Sequence, residues 1–243
     1  FNTVTIEICN GAFNLNTLIT GTSGGTWSGG SGYIVGNFFL PGSLSPGQYP
    51  VIYTVGAGSC QTSLTQLLEV AYCPTIVRAK LYLEGAYIAP DNMHAFLSGA
   101  ALLPFEQPYH QAPWMYNGNE TVSQFPVNTV DWVLIALHSA SNNSAMIAQK
   151  AVLLLQDGTL ADVDGTAGAV FPNLPPNQSY YLVIRHRNHL AVMSAVAIVP
   201  DGSLYDFTTA ATQAFGMNQQ KPVIGGFFAL KAGDMDANGV ITV

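Results

Sequence analysis

Residues 185–189 read RHRNH and hold four of the chain's basic and imidazole side chains, out of seven Lys and Arg and five His in all. Read as a strand, the stretch puts Arg185, Arg187 and His189 on one face and His186 and Asn188 on the other. The first face offers a polar site for an anionic group or a glycan. The structural alternative is a ladder of side chains paired with Asp131, Asp206 or backbone carbonyls of neighbouring strands. No Gly-x-Ser-x-Gly elbow, His-Glu-x-x-His helix or Cys–His arrangement accompanies it. No catalytic residue is therefore assigned, and an enzyme built around Arg185, Arg187 and His189 is the least supported class of function.

Carbohydrate recognition needs an aromatic platform with polar groups beside it. PYHQAPWMYNGNE, residues 108–120, supplies Tyr109, Trp114 and Tyr116 together with His110, Asn117 and Asn119. These rings read either as a platform for a sugar or a neighbouring subunit, or as pins that hold a long loop to its own core.

GDMDANGV, residues 233–240, has the opening spacing of a calcium loop. Asp234, Asp236 and Asn238 alternate so that their oxygens can converge on one cation, Gly239 takes the sharp turn, and Ile241 anchors the loop. The bidentate carboxylate expected at position twelve lies past the last residue, so the predicted site is incomplete. The alternative is a solvated Asp-Asn-Gly turn. A second acidic run, QDGTLADVDG, contains Asp157, Asp162 and Asp164 without the calcium spacing, and reads as two Asp-Gly turns.

The elements that must position these residues are strands. Val, Ile, Thr, Tyr and Phe come in short runs such as NTVTIEIC, GQYPVIYTV, VDWVLIALHS and SYYLVIRHR, broken by Gly, Pro, Asn and Ser. DNMHAFLSGAAL is expected to form one irregular helical turn. The expected fold class is all-β, with two β-sandwich domains. The first segment, 1–73, is glycine-rich and nearly uncharged, and 74–230 carries the longer apolar strands. Residues 231–243 would begin the truncated calcium loop.

Charged residues make up 9% of the 243, against roughly 25% in an average soluble chain. Such a surface resists self-association poorly. The formal net charge of −7 leaves no basic face for nucleic acid. No apolar run approaches the ~20 residues of a membrane span. The start at Phe1 rather than Met is read as that of a processed or excised piece.

Three cysteines are present. In a sandwich, Cys9 at the end of the first strand and Cys60 at the start of a late one can face each other, and a Cys9–Cys60 bridge is the expected pairing. Two free thiols are the alternative. Cys73 is left to pair outside the chain, to pair with one of the other two, or to stay free.

IEICNGAFNLNTLITGTSGGTWSG and LSPGQYPVIYTVGAGSCQTS resemble the immunoglobulin-like repeats of surface proteins exported by the type IX secretion route. Trp27, Pro46, Gly47, Tyr49, Tyr53 and Cys60 carry the likeness. RAKLYLEGAY, PWMYNGNETV, FPVNTVDWVLIALHSA, NQSYYLVIRHRNHLAVMSA and GGFFALKAGDMDANGVI resemble a second module of the same secreted proteins, one that precedes a dockerin-like or sorting domain. This resemblance implies an immunoglobulin-like sandwich followed by a transthyretin-like or collagen-adhesin-B-like one. It also implies an extracellular or cell-surface location and calcium as the cation of the loop at Asp234.

Two classes of function follow. The first is a noncatalytic structural or adhesive protein that assembles with copies of itself or with neighbouring domains, into a filament or surface layer. For this class FNTVTIEI or GVITV is expected to add as a strand to a neighbouring sandwich. The second is a carbohydrate-binding accessory module of a larger secreted enzyme, with a polysaccharide as partner.

Overall fold

The computed structural model describes residues 3–30 and 32–241. Strands dominate, as the alternating Val, Ile, Tyr and Thr runs require, and the fold is all-β. The chain divides into two units, Phe1–Pro74 with Pro172–Pro176, and Thr75–Phe171 with Asn177–Val243. Residues 231–241 cluster with the second unit. Among the described residues no helix is long and apolar enough to cross a membrane.

The first unit contains β1 (Val4–Glu7), β2 (Phe13–Asn14), β3 (Thr26–Gly29), β4 (Ile34–Val35), β5 (Phe38–Phe39), β6 (Gly47–Val55) and β7 (Thr62–Ala71). They form a sheet of order β1-β7-β6-β3 and a smaller one of order β2-β5-β4. Ile6, Val51, Leu68 and Val70 of the first sheet and Phe39 of the second share one buried core with Leu15 and Tyr33. Trp27 packs on this core from its edge and meets Tyr53 with 4.8 Å between ring centroids. The N-terminal run expected to reach a neighbour is seated in its own sheet, where Val4–Glu7 pairs in parallel with Leu68–Ala71. Of GVITV, Thr242 and Val243 lie outside the described residues, as do Phe1 and Asn2 of FNTVTIEI.

That parallel register decides the disulfide. Glu7 lies opposite Ala71, and two residues further along each chain stand Cys9 and Cys73. They are bonded to each other, with Cα atoms 5.7 Å apart. The expected Cys9–Cys60 pairing is therefore wrong. Cys60 sits in the short turn Gly58–Cys60 between β6 and β7 as an exposed free thiol.

The second unit contains β8 (Thr75–Lys80), β9 (Tyr87–Ile88), β10 (Asn92–Met93), α1 (Phe96–Gly99), β11 (Thr129–Ser139), β12 (Met146–Leu155), β13 (Leu160–Ala161), β14 (Ala169–Phe171), β15 (Tyr180–His186), β16 (His189–Met193), β17 (Asp201–Asp206), β18 (Gln220–Val223) and β19 (Phe227–Leu230). The largest sheet has the order β13-β12-β11-β15-β16, and β14-β8-β17 forms a second. Strand β11 is buried along nearly its whole length. A strand covered on both faces reads as a continuous apolar run, and VLIAL is one. Its one buried carboxylate, Asp131, must find partners inside.

The acidic run 156–165 is turn chemistry, with one exception. Asp157 Oδ1 accepts from the Thr159 amide at 2.9 Å and Asp164 Oδ1 from that of Thr166 at 2.9 Å. Gly158 takes φ +86°, and a Cβ there would meet the Leu81 carbonyl oxygen at 2.7 Å. Asp162 is instead buried and paired with Lys150 Nζ at 2.6 Å.

Candidate functional site

The RHRNH stretch does not continue as one strand. β15 ends at His186 and β16 begins at His189, leaving Arg187 and Asn188 as a two-residue turn. The ladder also slips between Ile184 and His186. Alternation along the stretch is thus lost, and Arg185, Arg187 and His189 do not share a face. His186 and His189 become direct partners across the turn, opposite each other in the register.

Their hydrogen bonds define one proton arrangement. The Gly85 amide donates to His189 Nε2 at 3.3 Å, so His189 carries its proton on Nδ1. That proton goes to His186 Nδ1 at 3.0 Å, which also accepts from the Asn188 amide at 3.2 Å. His186 then donates from Nε2 to Asp131 Oδ2 at 3.2 Å. Asp131 Oδ1 accepts from Arg187 Nη2 at 2.6 Å and from the Trp132 amide at 2.7 Å. Every ring nitrogen of both histidines is engaged.

Two groups of this chain are shifted by their surroundings. Burial, followed by the charge of His186, depresses the His189 imidazole from 6.5 to about 3, against a weaker upward pull from Asp131. Burial alone would raise the Asp131 carboxyl. The hydrogen bond from His186, its charge and the Arg187 guanidinium outweigh that and hold the carboxyl below its ordinary range.

The aromatic loop turns inward. Tyr109 is fully buried and donates its hydroxyl to the Trp132 carbonyl at 2.8 Å. Tyr116 is buried and donates to a Glu120 carboxylate oxygen. Both join Val122, Trp132, Leu134, Ala151 and Leu153 in a core on one face of the large sheet. Burial raises both phenols, and at Tyr116 the bond to Glu120 adds to the rise. Tyr109 and Tyr116 are thus core residues and offer no platform. Trp114 differs: it is half-buried, stacks edge-on against Tyr109 at 5.3 Å, and its Nε1 has no hydrogen-bond partner.

The C-terminal loop is arranged around itself. Asp234 is buried, and its Oδ2 accepts from the Gly239 amide at 3.2 Å. Asp236 and Asn238 are exposed, and Asn238 Nδ2 donates to Asp236 Oδ2 at 2.8 Å. Asp234 Oδ1 has no hydrogen-bond partner, while the Asp236 and Asn238 side chains are bonded to each other. No cluster of three His, Cys, Asp or Glu placed for a metal occurs among the described residues.

One cavity nevertheless joins parts of all three stretches. It has a volume of about 380 Å³ and is lined by Trp114 and Met115 of the loop, Arg185 and His189 of the hairpin, and Asp234 of the C-terminal segment. Leu134 and Gln149 form part of its wall from the central strands. Arg187, Tyr109, Tyr116, Asp236 and Asn238 are not among its lining residues. The histidine pair also borders a second cavity of about 310 Å³, with Asp131 and Asn188. Neither Leu134 nor Gln149 was marked by the sequence, because both lie in runs that read as ordinary strand.

Arg185 stands out in the first cavity. Its neighbour in the ladder is Leu134. Burial lowers its basicity, and no neighbouring charge opposes this. Among the described residues its guanidinium has no ion-pair partner and makes no side-chain hydrogen bond. Its nitrogens are not among the solvent-shielded atoms that lack a partner, so they open onto space. Compared with known proteins, the chain finds no match among family models, curated proteins or solved structures.

Proposed function

We propose that this chain is a noncatalytic extracellular adhesive or structural protein, and that its larger unit holds a ligand in the cavity between Trp114 and Arg185. The observation that carries the proposal is the unpartnered Arg185 guanidinium in a cavity of about 380 Å³, at the small end of the roughly 300–1,000 Å³ typical of ligand pockets. Both histidines beside it have their nitrogens committed to Gly85, Asn188, Asp131 and each other. They brace the cavity wall and leave no ring nitrogen for proton transfer, which favours binding over catalysis. The Cys9–Cys73 bridge supports an oxidising compartment, in keeping with the resemblance to type IX secreted surface proteins. A carbohydrate-binding accessory module of a larger secreted enzyme would use the same cavity.

The test is retention of the protein on a panel of immobilised extracellular polysaccharides, with Trp114→Ala beside it. Retention that the substitution abolishes supports the proposal. Retention unchanged by Trp114→Ala places binding elsewhere.

Self-assembly into a filament or surface layer is a second reading. It draws on large apolar side chains standing in solvent, with Met217 90% and Val127 83% exposed, on a surface with few charges to keep copies apart. Sedimentation over a hundredfold range of concentration decides it.

A further inference from the structure

We infer that the cavity takes the carboxylate of an acidic sugar, a uronate residue of an extracellular polysaccharide, with Arg185 as its anchor. The inference rests on the binding reading just given and assigns its ligand class.

The Arg185 guanidinium is unpaired. A partly buried arginine normally meets a carboxylate, as Arg187 meets Asp131 at 2.6 Å two residues away. Arg185 meets none among the described residues and lines open space. A planar guanidinium in such a setting matches a planar carboxylate through two parallel hydrogen bonds.

A second charged side chain borders the cavity. Asp234 also lines it, with Oδ2 turned to the Gly239 amide and Oδ1 shielded and unpartnered. A carboxylate in the same lining disfavours phosphate and other groups that carry more than one negative charge. It favours a seated sugar unit that carries one carboxylate among neutral hydroxyls.

In the wall, Trp114, Met115 and Leu134 supply apolar surface, and Gln149 supplies an amide. A sugar ring has an apolar C–H face and a polar rim, and the half-buried indole of Trp114 gives that face something to stack on. An alkyl acid would leave the Gln149 amide without a ligand partner. The formal net charge of −7 matters as well. A chain that repels anions overall binds one only through a local arrangement.

The experiment is titration calorimetry of the full chain with trigalacturonate and with its methyl ester, which keeps the rings and removes the charges. The acid is expected to bind and the ester to bind about tenfold more weakly or worse. Arg185→Gln is expected to lose about the same factor for the acid, and Arg185→Lys less, with the thermal midpoint confirming that each variant folds. The comparison of acid with ester needs no variant at all. Equal binding of acid and ester, or an unchanged affinity in a folded Arg185→Gln, overturns the carboxylate assignment and leaves the binding module standing. No heat with either compound, together with no retention on any immobilised polysaccharide, overturns both.

Discussion

The Nδ1 atoms of His186 and His189 lie 3.0 Å apart across the turn of Arg187 and Asn188. At that distance one of them must donate, and the Gly85 amide on the far side of His189 fixes which. The proton chain ends on Asp131, the one acidic residue of strand β11. Two strands and a turn are thereby tied to the centre of the sheet, directly beside the cavity that Arg185 enters.

This chain makes stability depend on acid. His189 is held neutral in the folded protein, down to about pH 3, whereas in the unfolded chain it takes up a proton near 6.5. Between those values the unfolded state holds more protons, so stability falls as pH falls, by up to about 1.4 kcal/mol per pH unit. Asp131, with its folded value lowered, adds stability above its unfolded range near 3.9 that is lost on further acidification, in the same direction. Urea midpoints at pH 7, 5 and 4 should decline in order. His189→Gln, which cannot titrate, should flatten the decline between pH 7 and 4.

The disulfide is expected to carry much of the first unit's stability. Closing a loop of 64 residues between Cys9 and Cys73 is worth about 4 kcal/mol in the chain-entropy description. Peptide mapping without reductant should recover the Cys9–Cys73 link, and Cys60 should alkylate in the native protein. Cys9→Ser should lower the unfolding midpoint of this unit, and Cys60→Ser should leave it unchanged. A recovered Cys9–Cys60 peptide would contradict the register.

Much of the fold was legible in the sequence, and the exceptions have physical causes. Long runs such as VDWVLIALHS and GQYPVIYTV announce strands through their β-branched and aromatic residues. The helical turn in DNMHAFLSGAAL forms at Phe96–Gly99. The disulfide was not legible, since it depends on a parallel pairing of β1 with β7, and nothing local to Cys9 or Cys73 encodes that partner. The face assignment of Arg185, Arg187 and His189 failed for a different reason. It assumed unbroken alternation, and a two-residue turn resets the alternation; Asn188 in the middle of the stretch was the available signal. The cavity itself could not be read, because its walls come from segments more than a hundred residues apart, such as Trp114 and Asp234.

The aromatic loop separates packing from binding. Tyr109→Phe removes the hydroxyl bond to the Trp132 carbonyl and should cost about 1 kcal/mol. Tyr109→Ala empties a fully buried ring site and should cost roughly 3–5 kcal/mol. Trp114→Ala, at a half-buried position, should cost less than Tyr109→Ala while removing ligand retention. Thermal and urea unfolding of the three variants, run beside the polysaccharide panel, give the order.

The central claim is that Trp114 and Arg185 face one bound ligand. A nitrogen-15 NMR titration with trigalacturonate reads both directly, through the Trp114 indole N–H and the Arg185 Nε–H. The account predicts that these two resonances shift together and saturate at the same concentration, while the indole signals of Trp27 and Trp132 move far less. Shifts centred on Trp27, or saturable binding that leaves the Arg185 signal in place, would contradict it.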